Sequence, residues 1–376
     1  MKDERRKREE DLFLELIQLA IGRRDRLSAT PSDEQWESMF DMANDHAVLG
    51  ICFDGIQRSG IKPSQDVFMK WLALVVQIQQ RNKIMDLRTA KVWQRLKQAG
   101  LDAAVLKGQG IATLYEGRGK KEDGRDDLST LRQSGDIDIW VLGGYQKLCD
   151  YVQSVAPTTD IAYHRFHFNA FKDTEVELHH RPTLMRNLFD DRKLARWYNS
   201  FGGDSFVYLE EKGFAVPPPA FNRIFILTHI YRHFLFEGIG LRQVMDYYFV
   251  LRNLSEKLRM EREELRVTLR ELRLTRFAEA MMWILHTQFG LEEPFLISGM
   301  NEKEGRFVLN EILKTGNFGR ADQRYRYKHL RKIRQKLKHG SHLLLHYPSE
   351  VLWTPIWLLY HKFWKWNKRR QIKAKE

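Results

Sequence analysis

Two carboxylates two residues apart, Asp136 and Asp138, lie between apolar residues in Ser134-Gly135-Asp136-Ile137-Asp138-Ile139-Trp140-Val141. Alternate side chains of a strand share a face. On a strand these two carboxylates project together, and Ile137 and Ile139 face the other way, into a core. Neighbouring carboxylates repel unless a cation sits between them. The pair suits Mg²⁺, which takes hard oxygen ligands and commonly uses one or two carboxylates with substrate phosphates. Taken alone, Asp-x-Asp also occurs at solvated strand ends and turns.

Two further pieces flank this pair. Ala103-Ala104-Val105-Leu106 reads as a short buried strand, followed by Lys107-Gly108 at a helix start. A glycine at such a turn lets backbone N–H groups approach a phosphate, a helix N-terminus favours the anion, and Lys107 adds a point charge. Val176-Glu177-Leu178 places an acid between apolar residues on a later strand. Glu177 would complete a metal site and help deprotonate an acceptor hydroxyl. Glu175 shares its face and is the rival, further from the apolar bracket. In this order the pieces suit nucleotidyl transfer, in which two metal ions stabilise the attacking and leaving oxygens of an in-line displacement.

Other residues carry alternative readings. Arg132 neutralises phosphate or pairs with the Asp cluster. His179 falls on the Glu177 face and could meet substrate. His179-His180 lack further ligands at zinc spacing, with no cysteine nearby. His229 and His233 stand at i, i+4 on a helix without the Glu of His-Glu-x-x-His, so core packing or substrate contact is expected. Arg242 and Asp246 have the same spacing and read as a helix ion pair or a substrate contact.

The elements that must position these residues follow from periodicity. Residues 1–99 read as a helical module, with Ser32 a candidate cap and a long segment at 64–97 without Gly or Pro. Beyond Gly100 helix and strand alternate through 100–215: a loop at 116–134, a helix at 145–155, and strands at 161–164, 167–171 and 175–179. Pro217-Pro218-Pro219 reads as a linker. Helices are expected at 221–236, 241–254, 256–272, 275–289 and 302–313, giving a helical region 216–319 and a tail 320–376.

The 376-residue chain is 43% apolar, enough for a sizeable core. Its two cysteines, Cys52 and Cys149, exclude a disulfide framework and fit a reducing compartment. The charged first residues lack a signal peptide's apolar run. No apolar stretch reaches the roughly 18 residues that span a bilayer. The net charge of +13 belongs to the tail, where 16 Lys/Arg stand against Asp322, Glu350 and Glu376. Nine of those cations lie in 320–339, and 343–366 is rich in aromatics with Lys362, Lys365, Lys368, Arg369 and Arg370 alongside or following. This makeup fits an interfacial helix on anionic lipid. It also fits a helix docked on the protein with a solvated basic end. Nucleic acid, through phosphate contacts and base stacking, ranks below both.

Leu106-Lys107-Gly108, Arg132-x-x-Gly135-Asp136-x-Asp138 and Val176-Glu177-Leu178-His179, in that order, resemble the uncharacterised nucleotidyltransferase family of bacteria. This is a branch of the DNA polymerase beta-like nucleotidyltransferase superfamily. The resemblance covers roughly 101–182 and extends to His229, His233, Arg242 and Asp246, which are similar to a family pattern of a His pair followed by Leu-Arg-x-x-x-Asp. The superfamily's glycine-serine turn is replaced here by Lys107-Gly108, so no serine hydroxyl carries over. The resemblance implies an α+β fold, a small mixed-sheet nucleotidyltransferase core flanked by N- and C-terminal helical regions. It implies an enzyme using two Mg²⁺ ions and a nucleoside triphosphate (NTP). Asp136, Asp138 and Glu177 would bind metal, and Lys107, Gly108, Arg132 and Gly135 would bind nucleotide. The expected acceptor is a hydroxyl of a small molecule, a sugar-like metabolite or a protein. The alternative is a membrane- or nucleic-acid-binding protein with a degenerate nucleotidyltransferase fold. The expected location is cytoplasmic, with the tail able to touch the inner membrane face.

Overall fold

A computed structural model describes residues 2–116, 127–321 and 342–373. The centre of the 116–134 loop and most of the basic run at 320–339 lie outside them.

The chain opens with α1 (Lys2–Ala20), α2 (Asp33–Asp45), α3 (Leu49–Ser59) and α4 (Gln65–Gln98). Ser32 caps α2: its hydroxyl accepts from the Gln35 N–H, and the Gln35 side chain accepts from the Ser32 N–H. Helix α1 lies close on α3 because Gly55 has no side chain; a Cβ there would fall 2.1 Å from the Leu16 carbonyl oxygen. The 34-residue α4 belongs to two cores. Its Trp71, Val75 and Ile78 join the helical cluster, and its Met85, Val92 and Leu96 join the cluster under the sheet.

The middle of the chain supplies β1 (Ala103–Val105), α5 (Gln109–Ala112), α6 (Leu128–Leu131), β2 (Ile137–Val141), α7 (Gly144–Val155), β3 (Arg165–His167), β4 (Val176–His179) and α8 (Leu188–Tyr198). Four strands form one mixed sheet in the order β1-β2-β4-β3. β2 and β4 run parallel, with Asp138 opposite Glu177 and Trp140 opposite His179. The outer strands are antiparallel to their neighbours. Ile137, Ile139 and Val141 face α4 and α7, as the alternation requires. Trp140 faces the other way and stacks on Phe221 at 5.1 Å.

A short hairpin follows, β5 (Val207–Leu209) with β6 (Phe214–Val216). Pro218 and Pro219 then turn the chain directly into α9 (Pro219–Phe236), where proline's fixed φ suits a first helical position. Helices α10 (Leu241–Arg252), α11 (Glu256–Met260), α12 (Arg262–Glu271), α13 (Thr275–Phe289) and α14 (Glu302–Thr315) complete a helical region that shares one core with α1–α3. Each large apolar side chain buried there contributes about 1.5–3 kcal/mol. A last helix, Pro348–Lys373, lies against the αβ part. No helix among the described residues is long and apolar enough to cross a membrane.

The fold is therefore α+β, a small mixed sheet set among helices. Three local expectations change. In place of strands at 161–164 and 167–171 there is β3 alone, with Ile161 making an isolated bridge to Phe166. Ala162 and Arg165 exchange backbone hydrogen bonds in a tight turn, and burial of Phe166 and Phe168 produced the alternation. The helix expected at 256–272 breaks at Glu261, whose ψ of 37° is not helical. The expected loop 116–134 contains α6, capped by the Asp127 carboxylate.

Candidate active site

Parallel pairing of β2 with β4 puts Asp138 and Glu177 side by side, both buried. His179 stands two residues beyond Glu177 on the same face. Its Nε2 lies 3.0 Å from Asp138 Oδ1 and 3.5 Å from Glu177 Oε2. Ligand atoms of these three residues all fall within 4.8 Å of one another. Lys107, at the end of the strand antiparallel to β2, places Nζ 3.2 Å from Asp138 Oδ1. From the far side of β4, Arg165 on β3 donates to Glu177. Burial works to raise the Asp138 carboxyl. The Lys107 cation and the His179 hydrogen bond outweigh it and hold that carboxyl well below the usual range.

Asp136 precedes β2 and is exposed toward a cavity of about 190 Å³. Its carboxyl is pushed up to about 6, first by desolvation and then by the negative charges of Asp138 and Glu177, against the pull of Lys107. Neither this group nor a second one, formed by His167, Glu175 and Glu177, includes Asp136. Glu175 is exposed and pairs with His167 Nδ1 at 3.0 Å, whereas Glu177 faces Asp138.

The cavity is lined by Lys107, Gly108, Arg132, Gly135, Asp136, Asp138, His229, Arg242, Asp246, Phe318 and Arg320, among others. Gly108 turns the chain at φ +61°, ψ −113°, a conformation that favours glycine. The helix after it has only four residues. A full helix dipole is therefore absent there, and the turn's backbone and Lys107 carry what polarity it offers.

Arg132 clasps Asp246 of α10 with two hydrogen bonds, and the Tyr115 hydroxyl donates to the same carboxylate at 2.8 Å. Burial opposes the Arg132 charge, but Asp246 holds it firmly cationic. Asp246 thus takes Arg132, where helical spacing suggested Arg242 and where Arg132 was a candidate for the Asp136/Asp138 cluster. Arg242 instead donates from Nη1 to the Gln133 carbonyl at 3.0 Å. Burial and the neighbouring Arg132 bring Arg242 down to about 10. A Cβ on Gly135 would lie 3.4 Å from Arg242 Nη1, so the loop 132–135 fits closely under that guanidinium.

Helix α9 roofs the acidic face. Phe221, Phe225, His229 and His233 recur every four residues and form a ladder of rings, ending at Phe318. His229 reaches the cavity. His233 does not line it; its Nε2 accepts from Arg232 at 2.8 Å. Arg232 also donates to His164 Nε2 at 3.1 Å. Burial lowers His164 and His229 well below the usual imidazole value, and His233 to about 4. These rings are neutral near pH 7. Arg165, Arg232 and His164 were not legible as site residues. Arg165 carries one weak signal, alternation with His167 on a short strand; the others reach the site only through tertiary packing.

No curated protein and no solved structure matches the chain. Its residues 32–290 match the family described as an uncharacterised nucleotidyltransferase. That span takes in α2–α4, the whole mixed sheet with its acidic group, and α9–α13. Most of the chain is thus accounted for by one family, and the protein belongs to the uncharacterised nucleotidyltransferases.

Proposed function

We propose that this protein transfers a nucleoside monophosphate from an NTP to a hydroxyl acceptor, with Mg²⁺ as the metal, two ions at full occupancy. The acceptor class is a small molecule, a sugar-like metabolite or a protein side chain. The observation that supports this reading is the register of β2 on β4, which sets Asp138 against Glu177 at the wall of a cavity ringed by cations.

The donor set fits a divalent ion. Two buried carboxylates and one imidazole nitrogen lie close enough to share it, and Asp136, just before β2, is near enough to feel the charges of Asp138 and Glu177. Asp138, Glu177 and Asp136 would hold the metal, with His179 at its border. When bound, the metal supplies Lewis-acid stabilisation of the phosphoryl oxygens.

The chain's own groups do the rest. Lys107 and Arg242 bring positive charge to the triphosphate, and Gly108 and Gly135 let the backbone come close. Arg132 acts through Asp246, holding the 132–135 loop in place. The half-exposed ring of Phe318 offers the apolar face that a nucleobase needs. The acceptor oxygen bonds to the α-phosphorus, the bond from that phosphorus to the bridging oxygen breaks, and pyrophosphate leaves. The hydroxyl proton passes to the acidic side chains, of which Asp136 and Asp138 line the cavity and Asp136 is the more exposed.

The reading is tested by incubating the protein with Mg²⁺, each α-labelled NTP in turn and a cell extract. Transfer of label to one extract component, abolished in Asp138→Ala, supports it. Absence of transfer with every NTP contradicts it.

A further inference from the structure

The C-terminal helix Pro348–Lys373 has two apolar faces, and among the described residues only one is covered. On the covered side, the buried Glu350 accepts the backbone N–H groups of Arg186 and Asn187 at 2.7 and 3.1 Å. Thr354 accepts from Arg186, and Trp364 packs edge-on against Tyr163 and Tyr145. These contacts fix the helix's rotation about its axis. They point Leu352, Ile356, Leu359, Phe363 and Trp366 outward.

Those five residues recur at alternating intervals of four and three, one continuous stripe along the helix. Each is between 51% and 72% exposed. Large apolar patches of this kind are uncommon on monomeric surfaces and mark an interaction site. At about 100° per residue, Lys362 and Arg369 border one side of the stripe and Arg370 extends its end.

We propose that this face is the docking surface for an anionic lipid bilayer, with the helix lying in the plane of the membrane interface. Its makeup fits: apolar and aromatic side chains enter the acyl boundary while flanking cations meet acidic headgroups. Charge argues against a second copy of the chain. The one carboxylate among Pro348–Lys373 is Glu350, buried and bound to Arg186 and Asn187, so paired stripes would bring cations together without acids to meet them. A nucleic acid would match the cations and stack on Phe363 and Trp366. It would leave Leu352, Ile356 and Leu359 in water.

The test is co-sedimentation of the full chain with vesicles of phosphatidylcholine alone or with about one-third phosphatidylserine, a strongly anionic surface. The wild type should sediment with the anionic vesicles and not the neutral ones, and Trp fluorescence should shift to the blue. Leu359→Glu and Phe363→Glu should each weaken binding at least tenfold, with the melting temperature unchanged because both side chains are exposed. Neutralising Lys362, Arg369 and Arg370 should weaken it about fivefold per charge. If a glutamate variant misfolds, Leu359→Ser gives the same reading. Equal binding to neutral vesicles, no binding at all, or a dimer in light scattering that Phe363→Glu dissolves would each overturn the proposal. So would RNA binding that the glutamate variants retain while vesicle binding is absent.

Discussion

Arg132 and Asp246 lie 114 residues apart in sequence and meet in the interior, Nε to Oδ1 and Nη2 to Oδ2, both at 2.7 Å. The pair ties the loop leading into β2 to α10, and so sets where Gly135 and Asp136 stand relative to Arg242. Removing one partner leaves the other charge buried and uncompensated. Asp246→Ala should cost about 3–5 kcal/mol in urea unfolding. The double variant Arg132→Met with Asp246→Leu should lose much less than Asp246→Ala alone. Equal losses would mean that the pair's charge is not what matters.

Tight packing of α1 on α3 gives a second expectation. Gly55→Ala forces a methyl group against the Leu16 carbonyl oxygen, and backbone yields less readily than a side chain. A loss of about 1–3 kcal/mol is expected, read by denaturant melts. No change would show that α1 can shift freely.

His46 supplies a pH dependence. It is buried, its Nδ1 accepts the Leu241 N–H, and burial lowers it from 6.5 to about 4. Above about pH 6.5 the folded and unfolded chains both hold it neutral. Below that, the unfolded chain takes up the proton first, so stability falls as pH drops from 6.5 toward 4. The slope from one such group is about 1.4 kcal/mol per pH unit. His46→Gln keeps an acceptor and should flatten the stability profile between pH 7 and 5. An unchanged profile would remove His46 from the account.

An imidazole beside two carboxylates also bears on metal choice. Nitrogen ligands favour transition metals over Mg²⁺. Titration calorimetry should find Mn²⁺ binding more tightly than Mg²⁺, and His179→Ala should narrow that difference. A ratio unaffected by the substitution would place His179 outside the ligand set.

What could be read from sequence was local. Asp136, Asp138 and Glu177 follow from a two-residue period, and the structure puts Asp138 and Glu177 on neighbouring strands. The alternation of helix and strand between helical flanks followed from the switch between helical and strand periods, and the α+β class was what the family resemblance implied. What required the fold was long-range. Arg165 reaches Glu177 through antiparallel pairing of β3, and Arg232 meets His164 across 68 residues. Arg232 leaves no pattern in sequence spacing, and Arg165 leaves only its weak alternation with His167. The break at Glu261 has no Gly or Pro to announce it, and the three-residue strands β5 and β6 are too short for alternation to register.

The most direct measurement of the central claim is calorimetric titration of each NTP with Mg²⁺ into the wild type, Asp138→Ala and Glu177→Gln, alongside melts that confirm folding. The wild type should bind one NTP in a metal-dependent manner. Either substitution should weaken that binding at least tenfold and lower label transfer by at least about a hundredfold, on the scale of losing one main electrostatic stabiliser of a transition state. Metal-dependent NTP binding and transfer that are unchanged in both folded variants would contradict the placement of the active site on Asp138 and Glu177.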